Sequence, residues 1–177
     1  MAENEQEPIV YWLDSAHHIV AVDGPWDRFA LDNEGGAACA ERVIGRPLRH
    51  FISGDDARMW MDTLLQLAKL TGEMLERPYR CDSPELQRFM SMRLVPEHSG
   101  MMRVEHHLLS IQQRIRPVRF LAVSSPQPGL RLRCSVCGRI KEQEEWLEAE
   151  HLGGTGSAPA KFRVAYTVCP SCRVRPR

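Results

Sequence analysis

The sequence predicts an α+β protein: an antiparallel sheet with flanking short helices, followed by a small C-terminal β module that holds a metal ion. Three observations predict it. One long helical pattern stands between a pair of strand-like runs and a further three. Two Cys-x-x-Cys pairs, Cys134/Cys137 and Cys169/Cys172, lie close together near the end. Charge is also divided: residues 1–113 hold 11 Lys/Arg against 18 Asp/Glu, a net of −7, and residues 114–177 hold 12 against 5, a net of +7. Opposite charge on the two parts predicts modules with different surfaces.

The bulk composition limits the class. A chain of 177 residues suffices for one ordinary domain and a small module. With 43% hydrophobic and 26% charged residues, the chain has globular rather than disordered composition. No run reaches the roughly 18 apolar residues that suggest a membrane span. The first eight residues are acidic and lack an apolar core, so no secretory signal is expected and the reading is cytoplasmic. The expected divisions are 1–116 for the first domain, 117–130 for a Pro/Arg-rich linker, and 131–177 for the cysteine module.

The elements follow in order. Residues 9–13 and 19–22 are β-rich, separated by the turn-like residues 14–18 and closed by Asp23-Gly24-Pro25. Residues 26–41 are helical in character but broken by Gly35-Gly36, which predicts short helices. Residues 43–48 form another short turn or helix. Ser53-Gly54-Asp55-Asp56 supplies a cap and early negative charge for the long helix, in which Trp60, Leu64 and Leu67, and Met61, Leu65 and Ala68, recur at helical spacing. Gly72 is its natural stop. Strands are expected over 73–81, 87–95 and 101–115, with a hairpin-like turn at 96–100. Core packing is the expected role of Met59 and Met61, with lining of a pliable pocket the alternative.

The cysteines carry the clearest chemistry. In Cys-x-x-Cys two thiolates from one tight turn reach the same ion, and two such turns complete a tetrahedral four-sulfur shell. Gly138 suits the positive φ of such a knuckle. Phe162, Val164, Tyr166 and Val168 alternate with polar or small residues, as in a strand delivering the second pair. Residues 145–152 are the expected hairpin partner and 153–157 its loop. A filled four-sulfur shell leaves no open position for catalysis, so the metal is expected to be structural. Zinc is preferred by the abundance of such sites. The knuckles also resemble those of rubredoxins, which hold iron, although Arg173 stands where those proteins usually carry glycine. His151 is expected at the surface.

Tyr11-Trp12-Leu13-Asp14 with Ile19-Val20-Ala21-Val22 resembles the opening strand pair of a PAS sensory domain. Trp26-Asp27-Arg28-Phe29-Ala30 resembles its first short helix, and Val43-Ile44-Gly45-Arg46-Pro47-Leu48 its approach to the long helix. The whole is similar to bacterial PAS-like proteins with a four-cysteine ribbon behind the domain. The resemblance implies detection of a small molecule or redox state, relayed through a protein partner or self-association. The light-sensing flavin motif is missing, and residues 55–69 contain no histidine of the kind haem-binding members use. His106 and His107 are consecutive on a strand, so one faces the interior. His17 and His18, in a turn, are expected to be solvated. Cys39 and Cys81 are unpaired by any pattern. Arg80 beside Cys81 is the only hint of reactivity, a plain buried thiol being the expectation.

Three function classes follow. The first is a non-catalytic sensory and regulatory module with structural zinc, whose small-molecule ligand the sequence leaves open. No room is expected for a kinase or DNA-binding output domain. The alternative is a nucleic-acid-binding regulator using Arg131, Arg133, Arg139, Arg163, Arg173, Arg175 and Arg177, with Phe162 and Tyr166 as the only nearby aromatics. An enzyme is not expected: no nucleophile elbow, phosphate loop or paired histidine–glutamate motif is present, and a metal would suppress dithiol chemistry at Cys134 and Cys137.

Overall fold

Alternation of Ile9, Tyr11 and Leu13 buries one face of the first strand, β1 (Ile9–Leu13), which pairs antiparallel with β2 (Ile19–Asp23). Asp14 closes the turn between them, its Oδ1 accepting the amides of Ala16 at 2.9 Å and His18 at 2.8 Å. These contacts appear in a computed structural model that describes residues 7–32, 36–152 and 159–173. The chain divides into two units. One comprises Met1–Ile52, Met61–Pro78 and Met90–Leu109; the other comprises Ser53–Trp60, Tyr79–Phe89 and Ser110–Arg177.

Short helices follow β2, as the glycine-broken pattern predicts: α1 (Trp26–Asp32), a 3-10 turn (Gly36–Ala38) and α2 (Ala40–Val43). Side chains of α1 fix what comes next. The Trp26 indole donates to the Ala38 carbonyl at 2.8 Å, and Asp27 accepts from the Ala40 amide at 2.7 Å. The long helix α3 (Asp55–Thr71) begins with Asp55 and Asp56 in its first turn and stops at Gly72, where φ is 68°. Its buried stripe is Ala57, Leu64, Leu65 and Ala68. Met59 is 63% exposed and lies outside that stripe. The buried methionines are Met90, Met92 and Met102, on strands.

β3 (Leu75–Arg80), β4 (Leu86–Pro96) and β5 (Met102–Gln113) match the three expected strands closely. They complete a five-stranded sheet of order β2-β1-β5-β4-β3, in which β1 runs antiparallel to β5. This is an antiparallel sheet with flanking short helices, the PAS-like arrangement expected. His17 and His18 are half-buried rather than solvated, because His18 bridges to Pro47 and the Leu48 amide donates to the His17 carbonyl at 2.9 Å.

The second unit holds a second sheet, ordered β6-β10-β7-β8-β9. Its strands are β6 (Val118–Ala122), β7 (Leu130–Cys134), β8 (Ile140–Glu142), β9 (Glu145–Leu147) and β10 (Ala160–Thr167). Residues 117–130, read from sequence as connecting chain, thus supply β6. The hairpin partner of 145–147 is β8, not the strand before the second cysteine pair. β10 runs parallel to both β6 and β7 and lies between them. The reason is local: only four residues separate Gly138 from the short run at Gln143, whereas β10 returns after a long excursion and enters parallel. The expected loop 153–157 lies outside the described residues. The inner face packs Val118, Ile140, Ala149, Phe162 and Val164, with Phe120, Leu152, Ala160 and Tyr166 around them.

Candidate metal centre

β7 ends on Cys134, the chain turns through Cys137 and Gly138, and β8 begins two residues later. β10 delivers Cys169, and α4 (Pro170–Arg173) carries Cys172 one turn further. Both pairs are therefore presented by tight turns at strand ends. The first turn is held by the Gly138 amide donating to the Cys134 carbonyl at 3.0 Å, the second by the Cys172 amide donating to the Cys169 carbonyl at 3.0 Å. Gly138 adopts φ 75°, the left-handed conformation that glycine allows.

The four sulfurs lie within 4.8 Å of one another. Cys137 and Cys169 Sγ are 3.9 Å apart. Four sulfurs each about 2.3 Å from a zinc ion span tetrahedral edges of roughly 3.8 Å, so these residues fit a four-sulfur metal shell. Cys134 and Cys169 are buried, Cys137 and Cys172 half-buried. The amides of Cys137 and Cys169 point at Cys134 Sγ at 3.5 and 3.3 Å, an outer layer of donors that offsets thiolate charge.

The thiols also oppose one another's ionisation. Sulfur contacts with Cys137 and then Cys172 hold the Cys134 thiol far below its ordinary range, while the contact with Cys134 pushes Cys137 up to about 12. A divalent cation at the centre of the cluster would accommodate all four thiolates. His151 is exposed, as expected, and is not among the clustered ligands.

A buried ionic cluster abuts the first knuckle. Asp82, 1% exposed, accepts from Arg80 at 2.5 Å and Arg114 at 2.6 Å, with Arg133 at 3.5 Å. Arg80 also reaches Glu148 at 2.7 Å. Burial pushes the Glu148 carboxyl up, but the hydrogen bond and charge of Arg80 more than offset it and leave it below its usual range. The Arg80 amide donates to the Val136 carbonyl, inside the knuckle, at 2.8 Å. Sequence reasoning missed this cluster, because Asp82-Ser83-Pro84 reads as a turn device; the one signal was a run of arginines with no nearby acid partner. Arg80 is committed to carboxylates, and burial raises the Cys81 thiol, which fits the unreactive reading. Cys39 precedes α2 and is a free thiol.

Four of the seven arginines nominated from the sequence are engaged in ion pairs. Arg131 pairs with Glu142, Arg133 with Asp82, Arg139 with Glu148 and Arg173 with Asp56. Arg163 remains exposed, and Arg175 and Arg177 lie outside the described residues.

In the first unit, His106 is the histidine that faces inward. It stacks on buried Tyr11 at 5.6 Å, and Tyr11 meets Trp26 edge-on at 5.7 Å. Desolvation drives the His106 pKa down to about 4. His107 is half-buried beside Glu105 at 2.8 Å. A cleft of about 290 Å³ opens in the same unit, lined by His17, Arg49, Asp62 and Gln66 with Pro47, Leu48 and Ile52.

No family model matches the chain, and no curated protein matches it. Solved structures that do match include a domain of an HTR-like protein from Haloarcula marismortui, at 12% identity and TM-score 0.43, covering 58% of this chain and 98% of that one. Another is the PAS domain of nitrogen regulation protein NR(II) from Vibrio parahaemolyticus, at 14% identity and TM-score 0.38, covering 58% of this chain and 89% of that one. Among the described residues no helix is long and apolar enough to cross a membrane.

Proposed function

We propose that this chain is a non-catalytic sensory and regulatory module. Its PAS-like part, residues 1–116, detects a small molecule or redox state. Residues 117–130 lead from it into residues 131–177 and already supply β6 of the second sheet; there Cys134, Cys137, Cys169 and Cys172 hold one structural zinc ion. The signal leaves through a protein partner or through self-association. The observation that carries the reading is the convergence of four sulfurs within 4.8 Å in a chain that also forms an antiparallel sheet with flanking short helices. A full sulfur shell leaves no open coordination site, which supports a structural rather than catalytic ion. All six cysteines are free thiols, which suits a reducing cytoplasm. The cleft beside His17 and Asp62, with Leu48 and Ile52 in its wall, is the proposed entry for a ligand.

The test is the purified full chain, examined by native mass spectrometry, absorbance and sedimentation. The reading predicts one zinc per chain, no haem or flavin band, and a small molecule whose addition shifts stability or oligomeric state. A stoichiometric red iron–thiolate chromophore, or a protein with no metal at all, contradicts the metal half. A substrate turned over contradicts the non-catalytic half.

A further inference from the structure

We infer that the outward face of the second sheet docks an acidic segment of a partner protein that also carries apolar side chains. The inference rests on the reading that the signal leaves by protein contact, and it names the surface and the partner's chemistry.

Strand register fixes which residues share that face. Val118, Phe162, Val164 and Ile140 point into the core. Their neighbours along each strand must therefore point outward. Arg119 lies opposite Lys161. Arg163 stands between Leu121 on one side and Leu130 on the other. Leu132 lies beside Ala165, and Lys141 beside Trp146. Leu121 is 53% exposed and Leu132 41%. A shallow depression of about 350 Å³ runs past Leu130, Leu132 and Lys141, large enough to seat an apolar side chain.

The unmatched charge on this face is positive. The face carries four cations, Arg119, Lys141, Lys161 and Arg163; the carboxylates nearest them are already matched, Glu142 at the edge of the depression by Arg131 and Asp56 beside Thr167 by Arg173. Among the described residues none of the four forms an ion pair, whereas Arg131 and Arg133, on the opposite face, pair with Glu142 and Asp82. Arg119 and Lys161 sit in register on adjacent strands about 4.8 Å apart, inside the roughly 8 Å screening length at physiological salt, so these cations repel one another until something negative covers them.

That something is constrained by the leucines. A second copy meeting face to face would present the same four cations, so symmetric pairing through this face is opposed by charge. Single-stranded nucleic acid favours aromatic platforms, and this face offers Trp146 alone among three leucines. An acidic segment with apolar side chains satisfies both the cations and the leucines.

The experiment uses the full, zinc-loaded chain and fluorescence anisotropy. The probe is a labelled helical peptide with leucines on one side and glutamates on the other. Controls are a peptide with lysine for glutamate, one with serine for leucine, and oligo-dT. The acidic leucine peptide is expected to bind, and each control at least about tenfold more weakly, or about 1.4 kcal/mol. The double variants Lys161→Glu/Arg163→Glu and Leu121→Ser/Leu132→Ser each weaken it by a similar factor, with zinc content and circular dichroism unchanged because these positions are exposed. Tighter binding of oligo-dT, equal binding by the two variants, or no binding of the acidic peptide overturns the assignment. Amide shifts mapping to the first unit overturn it too, while leaving relay by protein contact intact. Zinc loss or absence of any ligand response in the previous test fails the sensory reading separately.

Discussion

Arg114 donates to Asp82 Oδ2 at 2.6 Å, and both side chains are 1% exposed. The two residues are 32 positions apart. With Arg80 on the same carboxylate and its backbone amide on the Val136 carbonyl, this pair joins the β3–β4 turn to the first cysteine knuckle. A buried carboxylate shared by arginines is expensive to disturb, because removing one charge leaves the others desolvated and unmatched.

Asp82→Asn should therefore destabilise the second unit by about 3 kcal/mol, the scale of a broken buried pair. Chemical denaturation checks this. A loss below about 0.5 kcal/mol, the level of an ordinary surface change, would show that the cluster is solvated.

Gly138→Ala should cost about 1–2 kcal/mol, since alanine resists positive φ. Its added Cβ would also stand 3.0 Å from Asp82 Oδ2. Thermal unfolding of the variant checks the prediction, and zinc content should stay at one per chain because no ligand is removed.

Chelation should loosen the second unit locally. Without the ion, four thiols within 4.8 Å of one another remain at the ends of β7 and β10 with nothing to hold them together. Hydrogen exchange should accelerate at the amides of Cys137, Gly138 and Cys169 on stripping the metal. The amides of β1, in the other unit, should change little. Uniform acceleration across both units, or none at the knuckles, would contradict this.

Stability should also fall in mild acid through His106. Its folded pKa, about 4, lies below the ordinary value of 6.5, so the unfolded chain binds the proton first. The neutral ring's contribution is present in full above about 6.5 and is lost as pH falls toward 4. Between pH 6.5 and 5 the loss is about 1.5 kcal/mol, since the slope reaches 1.36 kcal/mol per unit only well below 6.5. His106→Phe should flatten that part of the stability profile relative to the parent, measured by denaturant midpoints at the two pH values.

Much of the fold is legible in the sequence where a local rule governs. The long helix is bounded by Asp55-Asp56 and Gly72, and β3 to β5 by glycine and proline turns, so their limits can be read directly. The cysteine quartet is legible because Cys-x-x-Cys fixes its own geometry. What escapes is set by pairing between distant residues. Nothing near Val118 announces that it will lie in register with Ala160 in a parallel pair. Nothing in Asp82-Ser83-Pro84 announces Arg114 and Arg133. Met59, expected in the core as an apolar residue, lies 63% exposed because its helical neighbours Asp62, Thr63 and Gln66 are polar and put it off the buried stripe.

Truncation tests how the chain is divided. A fragment of residues 1–116 keeps Asp82, Arg80 and Arg114 but loses Arg133, Glu148 and the Val136 carbonyl. It should unfold at its 79–89 segment, seen as rapid proteolysis there, whereas the full chain resists.

The most direct measurement is the zinc K-edge absorption spectrum of the purified full chain. One zinc per chain surrounded by four sulfurs at about 2.3 Å is the predicted result. Nitrogen or oxygen in the first shell, fewer than four sulfurs, or iron in place of zinc would contradict it.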